Sequence, residues 1–169
     1  MITEFLNFST SKLEELCSRI ETCLGQLSDE QIWARGKENE NALANLTLHL
    51  CGNVRQWIIS SIGGQPDLRQ RDSEFAARGG ISKAELQQRL HATVEEALAI
   101  ISGLTEEKLM ERRVIQGYEV SVMEAIYHVV EHFSMHTGQI IFATKMLTSA
   151  DLGFYRHLQS SAAHGKGTP

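Results

Sequence analysis

Apolar residues recur every three or four positions over four long stretches of this chain, and this spacing constrains the fold more than any other feature. It places the apolar side chains along one stripe of an α-helix, and that stripe must be buried against other helices. The first stripe ends near Gly25, the second runs from about residue 41 to residue 62, and the third and fourth begin at Ser82 and Ser121. The sequence therefore predicts an all-α fold with four main helices.

Two of the helix starts carry a recognisable capping signal. Ser82 is followed three residues later by Glu85, and Ser121 is followed in the same way by Glu124. In such a capping box each side chain accepts a hydrogen bond from a backbone N–H that the first turn of the helix leaves without a partner. We expect the third helix to run from Ser82 to about residue 103 and the fourth from Ser121 to about residue 147.

The connections complete the predicted architecture. The polar segment GGQPDLRQRDSEFAARGG, between the second and third helices, is too long for a tight turn. The predicted fold is therefore a four-helix bundle with a long crossover between helices two and three. The segment RRVIQGYEV is predicted to be irregular, because one short extended run without a partner cannot form a sheet. We expect one domain over residues 1–155 and a flexible C-terminal tail over residues 156–169.

Composition excludes several classes of function. The formal net charge is −5, whereas a nucleic-acid partner requires a basic face, so we expect no nucleic-acid binding. The chain lacks a run of about 18 apolar residues and a basic, apolar leader, which predicts a cytoplasmic protein without a membrane partner. The three cysteines, Cys17, Cys23 and Cys51, form no CxxC pair and are expected to be reduced thiols packed inside helices.

The histidines are the strongest functional signal. His128, His132 and His136 are spaced by four residues on the fourth helix, so neighbouring rings are about 6 Å apart along its axis and can share an ion. His128 and His136 are about 12 Å apart, too far for both to bind one metal. Either the first two or the last two of these histidines can bind the same ion, and a third ligand must come from another helix. His49, beside the apolar stripe of the second helix, is the candidate, whereas His91 has no adjacent ligand type.

Other interpretations of these histidines stay open. A single histidine more often forms an ordinary hydrogen bond than binds a metal, although three imidazoles on one helix face are costly to bury without compensation. His128, Glu131 and His132 match the inverted protease pattern HxxEH, a short pattern that arises easily by chance. The patterns HExxH, GxSxG, GxGxxG and the P-loop are absent, which leaves zinc-protease, serine-hydrolase, dinucleotide-binding and NTPase functions without support.

The segment AIYHVVEHFSMHTGQI, together with His49 inside NLTLHLCGN, resembles the DinB-like (YfiT-like) metalloenzyme superfamily. The resemblance extends to LSDEQIWAR after the first helix and to RDSEF in the crossover. It implies a four-helix bundle that binds one divalent transition-metal ion, nickel or zinc before others, through one histidine of helix two and two of helix four. The ligands implied are His49, His132 and His136.

The same resemblance implies roles around the ligands. His128 becomes a residue of the pocket or of the shell outside the ligands, and Asn53 or Gln139 could orient a ligand ring, with ordinary interhelical hydrogen bonding as the alternative. Arg71, Asp72 and Glu74 of the crossover match a family segment that could cover the pocket, where Arg71 would contact an anionic substrate. The alternative is a solvated loop whose charges pair locally.

Three neutral imidazoles leave a coordination position open, as in catalytic metal sites. The resemblance implies a small-molecule substrate, a homodimer, and a metal-dependent thiol S-transferase that uses a low-molecular-weight thiol such as bacillithiol or mycothiol. One alternative is a metal-dependent hydrolase that acts through metal-bound water. Another is a non-catalytic, stress-associated bundle that binds metal or a small molecule.

Overall fold

The computed structural model describes residues 2–156 and residue 158, and these residues are mostly helical, as predicted. The described helices are α1 (Ile2–Gly25), α2 (Asp29–Trp33), α3 (Leu43–Val54), α4 (Arg71–Ala76), α5 (Lys83–Ser102), α6 (Glu106–Leu109) and α7 (Val122–Thr148). A π-helical turn, Arg55–Ser60, continues α3 directly, so that α3 and this turn together form the predicted second helix. The predicted flexible tail, residues 156–169, lies outside the described residues except for positions 156 and 158.

The four long helices α1, α3, α5 and α7 enclose one apolar core. Helix α1 packs on α5 and α7, and α3 packs on the same two helices from the other side. Phe133, Ile20, Leu50 and Leu90 each come from a different one of these helices, and all four are fully buried. No helix within residues 2–156 and 158 has the length and apolarity that a membrane crossing requires. The predicted domain boundary, homodimer and cytoplasmic location stay predictions.

The two predicted capping boxes are present. Ser82 and Ser121 each accept a hydrogen bond from the backbone N–H three residues later, and the Glu85 and Glu124 carboxylates accept from the serine N–H. A third box, between Ser28 and Gln31, begins the short helix α2. The local sequence therefore determines where α5 and α7 start. The start of α7 in turn fixes how far along that helix its histidines lie.

The prediction of an irregular segment before α7 is wrong. Strands β1 (Arg112–Ile115) and β2 (Tyr118–Ser121) form an antiparallel hairpin within that segment. Gln116 and Gly117 connect them with φ values of 53° and 83°, the left-handed backbone of a type I′ turn. The prediction treated the segment as one extended run without a partner, but its two halves pair with each other. The hairpin leads directly into α7.

The cap at the start of α7 is testable. We expect Ser121→Ala to lower the free energy of unfolding by about 1 kcal/mol, because the Glu124 N–H loses its acceptor. This corresponds to a fall in Tm of roughly 2–4 °C for a chain of this size. Urea unfolding followed by circular dichroism measures the change. Ser102→Ala, which removes an exposed hydroxyl from the last residue of α5, is the matched control, and equal effects of the two changes would contradict the cap's role.

A candidate tri-histidine metal centre

Three imidazoles meet between α3 and α7. His49 Nε2 lies 3.0 Å from His132 Nε2, and the ring centroids of His132 and His136 are 4.5 Å apart. One ring nitrogen from each of the three residues lies within 4.8 Å of the other two. His49 and His136 are buried and His132 is half-buried. The structure thus brings together the three histidines that the resemblance implied.

The fourth histidine of this region, His128, lies beside the cluster but outside it. Its ring stacks on that of His132 with centroids 5.4 Å apart, and on the other side it packs against Trp57 at 4.0 Å. Asn53 Nδ2 lies 3.4 Å from His128 Nε2, so Asn53 contacts this ring and none of the three clustered rings through a hydrogen bond. Trp57, which is buried, therefore borders this side of the site.

The outer nitrogen of His49, Nδ1, is the one that does not face the cluster, and a carboxylate holds it. Glu74 Oε2 lies 2.8 Å from His49 Nδ1, and Glu74 in turn forms two hydrogen bonds with the Arg69 guanidinium, at 2.8 and 2.9 Å. The side chain of Arg69 is almost fully buried and donates a further hydrogen bond to Gln56 Oε1. With Nδ1–H donating to Glu74, the Nε2 lone pair of His49 is directed to the centre of the cluster. A carboxylate bound to the outer nitrogen is the usual second partner of a metal-binding histidine.

His136 has a comparable outer partner. Its Nδ1 lies 2.7 Å from Gln139 Oε1, three residues later on α7. A proton on Nδ1 would be donated to this oxygen and would leave Nε2 free to act as a ligand. Of the two residues expected to orient a ligand ring, Gln139 thus contacts one of the three rings and Asn53 contacts His128.

Buried polar groups position Glu74. The fully buried Asn45 lies one helical turn before His49 and donates hydrogen bonds to the backbone oxygens of Glu74 and Ala77. Arg35 donates to Asn45 and to the Ala77 oxygen as well, so the end of α4 is fastened to α3. Gly52 completes the fit, because a Cβ at this position would collide with the Glu74 carboxylate. The crossover is therefore an ordered part of the site that packs against α3.

The RDSEF segment lies at the site as the sequence indicated, but the arginine that contacts the site is Arg69 and not Arg71. Arg71 is exposed, and its guanidinium lies over the Phe75 ring at 5.1 Å, while Asp72 is exposed on the same helix. The arginine of the site is Arg69, which precedes the matched segment. A cavity of about 580 Å³ between α3, α5 and the crossover is bordered by Arg69 and Glu74 but by none of the three histidines. The Arg69–Glu74 pair thus borders both this cavity and His49.

The surroundings of His132 and His136 favour the neutral form of both imidazoles. Burial, followed by the neighbouring imidazoles of His136 and His49, lowers the pKa of His132 to about 3. Burial also lowers the pKa of His136, although its hydrogen bond to Gln139 Oε1 acts in the opposite direction. Burial alone would raise the pKa of Glu74, but hydrogen bonds from Arg69 and His49 outweigh it, so the pKa lies below its ordinary value. Neutral imidazoles beside an ionised outer carboxylate are what a divalent cation requires.

Comparisons with known proteins agree with this architecture. A family model described as "Protein of unknown function (DUF1572)" matches residues 1–158. The search of curated proteins finds no match. Among solved structures, a conserved protein from Enterococcus faecalis is similar with a TM-score of 0.69 at 16% identity, over 85% of this chain and 97% of that one.

Two further structures share the fold. The DinB-like protein YjoA from Bacillus subtilis is similar with a TM-score of 0.66 at 18% identity, over 87% of this chain and 96% of that one. A mutant of the mycothiol-dependent maleylpyruvate isomerase is similar with a TM-score of 0.64 at 13% identity, over 80% of this chain and 60% of that one. At these identities the likeness concerns the fold.

The Glu74–His49 hydrogen bond has a measurable consequence. We expect Glu74→Gln to weaken the binding of Zn²⁺ or Ni²⁺ by roughly tenfold or more, because an uncharged amide no longer raises the basicity of His49. Isothermal titration calorimetry of the untagged protein measures the affinity. Asp72→Asn, which removes an exposed carboxylate from the same short helix, should leave the affinity unchanged. Equal affinities of Glu74→Gln and Asp72→Asn would contradict the role given to Glu74.

The depressed pKa of His132 predicts a loss of stability in acid. Because the folded, metal-free protein binds this proton only near pH 3 while the unfolded chain binds it near pH 6.5, the free energy of unfolding falls as the pH drops below about 6.5. Between pH 7.5 and 5 the loss due to His132 amounts to at most about 2 kcal/mol. Urea unfolding in the presence of a chelator should show a shallower decline for His132→Ala, and an unchanged decline for Met135→Ala on the exposed side of α7. A parallel decline in all three proteins would contradict this assignment.

Proposed function

Because the chain belongs to the DUF1572 family and has the fold of the DinB-like proteins, we propose that it is a metal-dependent enzyme that uses a low-molecular-weight thiol. The proposed class is a thiol S-transferase with a small-molecule electrophile as acceptor. The observation that carries the proposal is the convergence of one nitrogen each from His49, His132 and His136 within 4.8 Å. The four long helices and the contacts among them support a four-helix bundle in which residues 61–82 form the crossover.

The donor set fits a divalent transition-metal ion. Three imidazole nitrogens are ligands that nickel, zinc and related ions accept, and three protein ligands leave a position for an exogenous one. His49, His132 and His136 would hold the ion. An ion bound there supplies Lewis-acid chemistry, which lowers the pKa of a water or thiol that binds to it. Two of the three rings already carry an outer partner that favours one tautomer, Glu74 on His49 and Gln139 on His136.

The surroundings of the cluster offer contacts for a polar substrate. Asn53 Oδ1 and Trp57 Nε1 are buried and lack a hydrogen-bond partner within the part of the chain that the structure describes. Both residues contact His128, which lies one turn from His132 on α7. Buried polar atoms normally have partners, so an acceptor and a donor without them beside the site fit a ligand that carries both kinds of group. A thiol that bears amides or hydroxyls has this chemistry.

The thiol class rests on one relative. The mycothiol-dependent maleylpyruvate isomerase, whose name states its use of a thiol, shares the fold of this chain. In the proposed reaction the sulfur of the thiol forms a bond to an electrophilic carbon of the acceptor. The thiol proton is released to water, and the leaving group departs with the electron pair of the bond that breaks. The chain's residues bind and orient the two reactants for this step.

The test is a reaction with defined components. The zinc- or nickel-loaded protein is incubated with mycothiol, bacillithiol, glutathione or cysteine and with chloroaromatic or epoxide acceptors, and mass spectrometry detects the S-conjugate. We expect turnover with at least one thiol, a loss of 100-fold or more in His132→Ala, because the remaining two imidazoles bind the ion weakly, and unchanged turnover in Met135→Ala.

Two outcomes would contradict the proposal. The first is conjugate formation that is equal in the wild type and in His132→Ala across the whole panel. The second is hydrolysis of an ester or amide without any thiol, with a rate that rises towards neutral pH and depends on His132, which would assign the site to the hydrolase class.

A further inference from the structure

A second group of metal-ligating side chains lies between α1 and α5. Cys17 and Glu21 are one turn apart on α1, and His91 faces them from α5. One donor atom from each lies within 4.8 Å of the other two. The expectation that His91 has no adjacent ligand type is wrong, because the packing of α5 on α1 supplies ligands that are distant in the sequence. Cys17 is buried, as expected, but its thiol is not packed among apolar groups alone.

The separations resemble those of an assembled coordination sphere. Cys17 Sγ lies 3.9 Å from Glu21 Oε1, and Glu21 Oε1 lies 3.1 Å from His91 Nδ1. Around a tetrahedral Zn²⁺, with sulfur at 2.3 Å and nitrogen or oxygen near 2.0 Å, neighbouring ligand atoms are about 3.3–3.7 Å apart. Shifts of a few tenths of an ångström would therefore place the sulfur and the oxygen on one ion. A His91 nitrogen lies 3.1 Å from the same oxygen and within 4.8 Å of the sulfur, so a modest movement of its side chain would bring all three atoms onto the ion.

The imidazole has an outer carboxylate in the position that metal-binding histidines usually provide. His91 Nε2 lies 3.2 Å from Glu95 Oε1, one turn later on α5. In the metal-free protein the Nδ1–H of His91 donates to Glu21 Oε1, because a carboxylate can only accept. A bound ion would take the place of this proton, with Nε2–H then facing Glu95.

We propose that Cys17, Glu21 and His91 form a second divalent metal site, selective for Zn²⁺, that links α1 to α5. A thiolate, a carboxylate and an imidazole are the ligand types of zinc sites, and the thiolate disfavours Mg²⁺ and Ca²⁺. This site shares no residue with the tri-histidine cluster and goes beyond the proposed function. Since its ligands come from two helices, a bound ion stabilises their packing.

The local charge agrees with a cation site. The Glu21 carboxylate contacts both Cys17 and His91, and the Glu95 carboxylate lies beside the other nitrogen of His91. A divalent cation at this position would reduce the mutual repulsion of these carboxylates. Cys17 would bind it as the thiolate, so the thiol proton is released to solvent as the S–Zn bond forms.

Cobalt titration distinguishes the two sites in the untagged, full-length protein. Co²⁺ bound to a thiolate gives a sulfur-to-metal charge-transfer band in the near ultraviolet, and three imidazoles give none. We expect this band in the wild type and in His132→Ala, and we expect Zn²⁺ to displace it. Cys17→Ala should abolish the band, whereas Cys23→Ala, which removes another buried thiol of α1, should retain it. A band that is absent from the wild type, or that survives in Cys17→Ala, would overturn the proposal.

A second variant covers the case in which Cys17→Ala does not fold. His91 is exposed, so His91→Gln should leave the melting temperature of the metal-free protein unchanged. It should weaken the Co²⁺ affinity, measured from the charge-transfer band, at least tenfold. In the His132→Ala background Zn²⁺ should raise the melting temperature, and addition of His91→Gln should remove that rise. An unchanged cobalt affinity in His91→Gln would overturn the proposal, as would loss of the band in His132→Ala.

Discussion

The burial of three imidazoles against one another, between α3 and α7, is the constraint on which the rest of the site depends. Removing such rings from water is costly unless their nitrogens find partners. The outer nitrogens of His49 and His136 have them in Glu74 and Gln139, whereas Nε2 of His132 lies 3.0 Å from Nε2 of His49. Two nitrogens that meet in this way can share at most one proton. A metal ion bound by all three rings would satisfy the lone pairs that hydrogen bonds leave over.

The crossover gives this arrangement its rigidity. Asn45 and Arg35 hold the carbonyl oxygens at the end of α4, and Gly52 leaves room for the carboxylate that reaches His49. The Arg69–Glu74 pair is largely removed from solvent, so its interaction is stronger than that of a surface ion pair. A short helix inside a long connection thus acts as part of the metal centre. This explains why the crossover is folded instead of being a solvated loop.

Much of the fold could be predicted from local chemistry. Apolar spacing predicted the long helices, and the serine–glutamate pairs predicted the starts of α5 and α7, because both signals act within one or two helical turns. The hairpin was missed because its signal is a two-residue turn, Gln116–Gly117, whose glycine could have indicated it. The three clustered histidines followed from spacing only as far as two alternatives, and the resemblance to a family chose between them.

Contacts across the chain could not be predicted in the same way. Arg69 precedes the segment that matched the family, and nothing in its immediate sequence indicates that it pairs with Glu74 and reaches His49. The same holds for His91, whose partners Cys17 and Glu21 lie about seventy residues earlier. These contacts depend on how α5 and the crossover pack on α1 and α3. Side-chain partners across such interfaces are determined by tertiary packing, which periodicity does not encode.

The most direct test of the account is anomalous X-ray diffraction, at the absorption edge of zinc, from crystals of the zinc-loaded protein. A metal centre formed by the three histidines predicts an anomalous peak between α3 and α7, at about 2.0–2.1 Å from one ring nitrogen each of His49, His132 and His136. It would be contradicted by crystals that contain zinc but show no peak within reach of these three nitrogens.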